Sequence, residues 1–120
     1  MSELARVEVQ DRDGLRVAAV TGEVDASNAD EIRSALVAAL PNAALGLMAD
    51  LRKLTYLDSS GIAVLFEIAE RLTKRGQVLA LVLGSDSLIR PTMELTGVGS
   101  VAVLSETTDD AAARIRAGRR

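Results

Sequence analysis

Two short and almost unbroken apolar runs, Leu45 to Leu51 and Val78 to Leu83, flank a strongly amphipathic stretch from Ser60 to Arg75. A run that is apolar at consecutive positions yet too short for a buried helix fits a strand covered on both faces of a sheet. The stretch between them repeats Ile62, Leu65, Phe66, Ala69 and Leu72 at helical spacing, and Gly76 suits its C-terminal cap. Strand, helix, strand is the order of a parallel crossover, which constrains the chain to an α/β architecture.

The remaining segments extend that pattern. Val7 and Val9 alternate with Arg6, Glu8 and Gln10, and Asp13-Gly14 separates them from the run Leu15 to Val20, which predicts a hairpin. Ser27 or Asn28 can cap a helix with Ala29, Ile32, Leu36, Ala39 and Leu40 on one face, stopped by Pro41-Asn42. Ser85-Asp86-Ser87 supplies caps for a helix through Thr96 that closes at Gly97, with Pro91 near its first turn. A strand from Val101 to Leu104 then precedes a helix from about Thr108, whose arginines Arg114, Arg116, Arg119 and Arg120 suit the negative end of its dipole. The expected product is one domain over residues 1–120, a mixed sheet of about four to five strands with an N-terminal β-hairpin and about four flanking helices.

Composition removes several functions. The chain is 48% hydrophobic but has one Phe and one Tyr, so the core is aliphatic and stacking on bases is poorly supplied. A net charge of -3 gives no field to gather nucleic acid or an anionic membrane, so neither direct contact is expected. Without any Cys or His, a Ser-His-Asp or Cys-His mechanism cannot be assembled, nor a zinc site with thiolate or imidazole ligands. Gly84-Ser85 lacks the spacing of a phosphate-binding loop, and Asp109-Asp110 or Glu23 with Asp25 are ordinary surface-turn carboxylates. No cofactor, no metal and no catalytic residue is therefore expected. The opening Met1-Ser2-Glu3 has no signal-peptide character and no apolar run approaches about twenty residues, so the expectation is a soluble cytoplasmic protein.

Chemistry concentrates at Asp58-Ser59-Ser60-Gly61, where the run Leu54-Thr55-Tyr56-Leu57 meets the start of the amphipathic helix. A helix start presents unpaired N–H groups and the positive end of the dipole, so a phosphate is electrostatically welcome there. One of Asp58, Ser59 and Ser60 serves as the cap, which leaves at least one serine hydroxyl able to face solvent. Relative to the stripe centred on Ile62, Val64 and Ile68 lie outside an arc of roughly 80 degrees. Either a neighbouring element covers them, or they belong to a docking patch centred on Ala63 and Val64. Asp25, after Gly22-Glu23-Val24, is a second acid expected near the same end of the sheet.

The combination of Thr21-Gly22-Glu23-Val24-Asp25, then Leu54-Thr55-Tyr56-Leu57-Asp58-Ser59-Ser60-Gly61-Ile62, then Leu95-Thr96-Gly97-Val98 resembles the STAS domain of bacterial anti-sigma factor antagonists over nearly the whole chain. The resemblance implies a protein that binds an anti-sigma factor, itself a serine kinase, and so frees a sigma factor. It implies Ser59 as the phosphoacceptor, a separate serine phosphatase that restores it, Asp25 beside the phosphorylation site, and Ile62, Ala63 and Val64 as part of the docking surface. Ala63 stands where that family often has glycine. A monomer or weak homodimer is expected. The alternative is a regulatory subunit of a membrane transporter of the lipid ABC type, because stand-alone STAS subunits of that kind share the fold.

Overall fold

The computed structural model describes residues 4–42 and 44–118; Met1, Ser2, Glu3, Ala43, Arg119 and Arg120 lie outside the described residues, and with them two of the four terminal arginines. Strands β1 (Ala5–Arg12) and β2 (Leu15–Val24) form the expected hairpin, paired without interruption from Ala5·Gly22 to Arg12·Leu15. Its two-residue turn takes positive φ at both Asp13 (53°) and Gly14 (83°), the mirror-image turn whose twist matches that of two antiparallel strands.

Helix α1 (Ala29–Ala38) follows, then β3 (Gly46–Asp50), β4 (Leu54–Leu57), α2 (Ser59–Lys74), β5 (Val78–Val82), α3 (Arg90–Leu95), β6 (Val103–Ser105) and α4 (Thr108–Gly118). The sheet has six strands, in the order β1-β2-β3-β5-β6, with β4 attached to β2 alone. All pairs except the hairpin are parallel. The sixth strand is β4: ten-residue β2 is longer than β3, which pairs along Arg16 to Ala19, so β4 takes the rest of the same edge from Gly22 to Val24. A register shift between Gly22 and Glu23 marks the join, and Gly22 (φ 97°) is required there because a Cβ would strike the carbonyl oxygen of Leu4.

Strand alternation sends Ala18, Val20, Leu47, Ala49, Leu79 and Leu81 to one face, where α1, α2 and α3 cover them. The other face carries Val17, Met48, Ala80 and Val82 to Ala111 and Ile115 of α4. α4 packs on β3, β5 and β6 and covers Leu15 and Val17 at the start of β2, whereas Glu8, Ala19 and Thr21 farther along the hairpin line an open cleft on that face. Arg114 and Arg116 do not cap their own helix; they donate to the carbonyls of Leu104 (2.8 Å) and Asp13 (2.8 Å) and tie α4 to the strand ends.

Three boundaries differ from the sequence expectation. α3 begins at Arg90, not at Ser85-Asp86-Ser87, because those residues form a turn in which the Ser87 hydroxyl accepts from Ile89 N (3.3 Å), and Pro91 then sits in the first turn. Gly97 (φ 79°) ends α3 and leads into a single 3₁₀ turn, Val98–Ser100, so β6 starts two residues later than expected. The third concerns α2, whose buried residues are Gly61, Val64, Leu65, Ile68, Ala69 and Leu72, while Ile62 and Phe66 are only half-buried. The apolar face is thus turned away from Ile62, and a docking patch centred on the Val64 side chain is ruled out by its 7% exposure. The helix lies against both the sheet and α1, so a wider arc is covered than one stripe requires.

Candidate functional site

β2 and β4 end side by side: Val24 pairs with Leu57, and the next residue, Asp58, donates its N–H to the Val24 carbonyl (3.3 Å). Each strand therefore delivers an acid, Asp25 or Asp58, and then a helix at the same end of the sheet. This juxtaposition brings together the two segments that the sequence separates by more than thirty positions.

At α2 the cap is Asp58. Its backbone is extended, and its Oδ1 accepts from Ser60 N (2.9 Å) and Gly61 N (3.3 Å). The acid thus satisfies two of the unpaired first-turn donors and releases both serines from that task. Ser59, the first helical residue, is exposed, and its hydroxyl makes no hydrogen bond among the described residues; Ser60 is half-buried. Gly61 has ordinary helical φ, and its role is closeness. A Cβ there would run into Leu57 Cδ1 and come within 3.0 Å of Val24 Cγ1, so glycine lets the first turn lie flush on the two strand ends. Asp58→Ala is expected to lose about 1 kcal/mol of stability by removing the cap, with Asp58→Asn recovering most of it; urea unfolding of the two variants checks this.

At α1 the cap arrangement is unlike the one expected. Asn28 precedes the helix but makes no side-chain cap bond to it. It is 2% exposed and points backward, with Oδ1 accepting from Asp25 N (2.9 Å) and Nδ2 donating to the Glu23 carbonyl (2.9 Å). Asp25 in turn accepts from Ser27 N (2.8 Å) and Ser27 Oγ (2.6 Å). The Ser27 hydroxyl first, then the Ser27 N–H, hold the Asp25 carboxyl below the ordinary Asp value against desolvation, with the Asn28 N–H adding least. Asp25 is half-buried and ionised at neutral pH, fixed beside the strand end that carries Asp58.

Beyond the serines, Ala63 is exposed one turn along α2, and Ile62 is half-buried beside it. An apolar groove of about 660 Å³ starts at Ala63 and runs past Phe66 toward Val101, with Glu70 and Lys74 on its rim. The groove depends on the 3₁₀ turn after Gly97, which has no periodic signal in the sequence. Arg33 of α1 grips Glu67 of α2 through two 2.7 Å bonds, and Arg71 adds a third at 3.0 Å, which locks the two helices behind the groove. Tyr56 on β4 and Leu95 at the end of α3 are also exposed, at 49% and 88%. Neither was singled out by sequence reasoning, since a lone tyrosine on a strand and a leucine in a helix are ordinarily core residues.

Residues 6–111 match the family model of the STAS domain. An anti-sigma-B factor antagonist of Listeria monocytogenes is 31% identical over 96 residues, which span 79% of this chain and 83% of that one. The crystal structure of an anti-sigma factor antagonist from Mycobacterium paratuberculosis is 30% identical, covers 93% of this chain and 94% of its own, and superposes with a TM-score of 0.81. A STAS domain protein from Planctomyces limnophilus, at 19% identity and a TM-score of 0.74 over 91% of this chain and 96% of its own, shares the fold. The chain belongs to the STAS domain family, and the relatives it resembles in sequence are anti-sigma factor antagonists.

Proposed function

We propose that this chain is an anti-sigma factor antagonist that binds an anti-sigma factor with serine kinase activity, releases the sigma factor held by it, and is switched off by phosphorylation of Ser59. The observation that carries this reading is the exposed, uncommitted hydroxyl of Ser59 on the first residue of α2, freed by the Asp58 cap. Asp25 and Asp58 flank it, Ser60 and Gly61 complete the turn, and Ile62 and Ala63 begin the surface that the partner covers. Val64 supports that surface from beneath through its packing in the core.

The site does not act on a substrate of its own. Its work is to be covered by a partner or to carry a charge that forbids covering. A serine phosphatase resets it. This cycle operates in the cytoplasm, where sigma factors meet RNA polymerase, and no helix among the described residues is long and apolar enough to cross a membrane.

Incubation of the purified chain with its cognate kinase and ATP, followed by mass spectrometry, is expected to find one phosphate on Ser59. Modification confined to Ser60, or none, overturns the assignment. Genes for a small ATP-binding kinase and a sigma factor beside this one are the expected neighbours; genes for a transporter would direct the reading to transport regulation.

A further inference from the structure

The main path of the sheet ends at β1 and at β6, and these two edges differ. β6 is three residues long, whereas β1 spans eight, with no proline, no lysine and no bulge along it. Prolines, bulges and charged side chains are the usual devices that prevent an edge from pairing with another chain; β1 lacks the first two, and its charges, Arg6, Glu8, Asp11 and Arg12, are of both signs, so they select a register rather than forbid every one. From the charge pattern of this edge, we propose that β1 pairs antiparallel with β1 of a second copy of this chain, centred on Val7, to make one sheet across two molecules.

The hairpin decides which backbone groups are available. In a two-residue hairpin the closing pair, here Arg12·Leu15, exchanges both hydrogen bonds, so even-numbered β1 residues face β2. The bond from Glu23 N to the Leu4 carbonyl (2.8 Å) fits the same alternation. Ala5, Val7, Val9 and Asp11 therefore direct their N–H and C=O groups outward. A self-paired edge must match odd residues with odd residues, which places the even residues in the closer, non-hydrogen-bonded pairs.

Charge then selects among the registers. Centring on Glu8 opposes Glu8 to Glu8, and centring on Val9 opposes Arg6 to Arg12. Centring on Gln10 pairs Glu8 with Arg12 but sets Val9 against Asp11, already held by Arg16 at 2.6 Å, and Val7 against Asp13. Centring on Val7 opposes Arg6 to Glu8 twice, Val7 to Val7, and Ala5 to Val9 twice. Opposite charges meet on one face and apolar side chains on the other.

A second feature favours this register. Between β1 and α1 lies a cleft of about 290 Å³ with Ala5, Val7, Ile32 and Ala35 among its walls. Val9, 45% exposed in the single chain, would enter the cleft of the opposing molecule beside Ala5. The contact is short compared with a standard interface of about 800 Å² per partner, so association is weak and concentration-dependent.

Sedimentation equilibrium of the full chain is expected to show a monomer–dimer equilibrium. Arg6→Glu and Glu8→Arg, both at exposed positions, should each weaken it about tenfold, and the double variant should return it to near the original value. Arg12→Glu should leave it unchanged. The chain has no cysteine, so an equimolar mixture of Arg6→Cys and Glu8→Cys chains should cross-link on oxidation far faster than either alone. The proposal is overturned by a chain that stays monomeric at about 1 mM, by a double variant that does not recover, by Arg12→Glu acting as strongly as Arg6→Glu, or by single-cysteine chains that cross-link as fast as the mixture.

Discussion

Ser59→Ala is expected to bind the anti-sigma partner whether or not kinase and ATP are supplied, while phosphorylated wild type binds it about a thousandfold more weakly. Ser59 is exposed and makes no hydrogen bond among the described residues, so loss of its oxygen disturbs no contact of the fold. Phosphorylation adds roughly 1.5 to 2 negative charges at a helix start, where the dipole favours them, and the free protein keeps its structure. Covering that charge with a partner is different. Asp58 already occupies the first-turn donors Ser60 N and Gly61 N, and Asp25 is a second anion at the same strand ends, so the phosphate is not neutralised locally. Unmatched desolvation and repulsion of about 4 kcal/mol correspond to the thousandfold loss. Ser59→Asp carries one charge and should lose about ten- to a hundredfold, with its unfolding midpoint not lowered, since an acid at a helix start is neutral or stabilising by up to about 1 kcal/mol, a few degrees at most. Titration calorimetry with the purified partner, paired with thermal melts, separates the alternatives. Wild-type affinity in Ser59→Asp, or weak binding explained by unfolding, would remove the basis for the switch.

The second large effect belongs to Asn28. Replacement by Ala leaves Asp25 N and the Glu23 carbonyl without the partner that the 2%-exposed Asn28 side chain supplies; Asp25 is half-buried and Glu23 exposed, so both bonds are only partly shielded from water. Losing two part-buried hydrogen bonds and the packing of a buried side chain costs about 1–2 kcal/mol, a sizeable share of the stability of a domain this size. The same change unhooks the turn that holds Asp25 beside Asp58, so the rate of Ser59 phosphorylation should fall even at temperatures where the variant is folded. Ser27→Ala is the control. It removes an exposed hydroxyl from Asp25 and is expected to cost less than about 1 kcal/mol. Urea unfolding of both variants tests the contrast, and equal costs would mean that the two Asn28 bonds contribute no more than one exposed hydroxyl.

Much of this was readable from residue order, and the exceptions share a cause. Alternation around Asp13-Gly14, the short apolar runs, and the helical spacing after Asn28, Ser60 and Thr108 are local signals, and each element they predict is present. β4 was legible only as an extended run leading to Asp58, because its status as a strand depends on β2 extending past β3. The choice of cap at Asp58-Ser59-Ser60 was likewise open in the sequence. All three side chains can accept a bond from the backbone, and only the extended backbone at Asp58 selects one. Ser27 and Asn28 are equal cap candidates in the sequence, whereas the bonds of Asn28 run backward to the strand end and those of Ser27 go to Asp25. The buried arc of α2 was centred too near Ile62, since periodicity reports that a helix has a covered side but not how many neighbours share it.

β4 forms hydrogen bonds with β2 alone and stands apart from the path through β3, β5 and β6 that carries most of the interior. Ser59 stands where this side branch passes into α2. The proposed kinase, phosphatase and partner would therefore all work at a rim of the fold, while the layers between α2 and α4 keep their packing. Under the proposed function, the same molecule is then reusable: a cycle of capture and release asks for no repacking of the core.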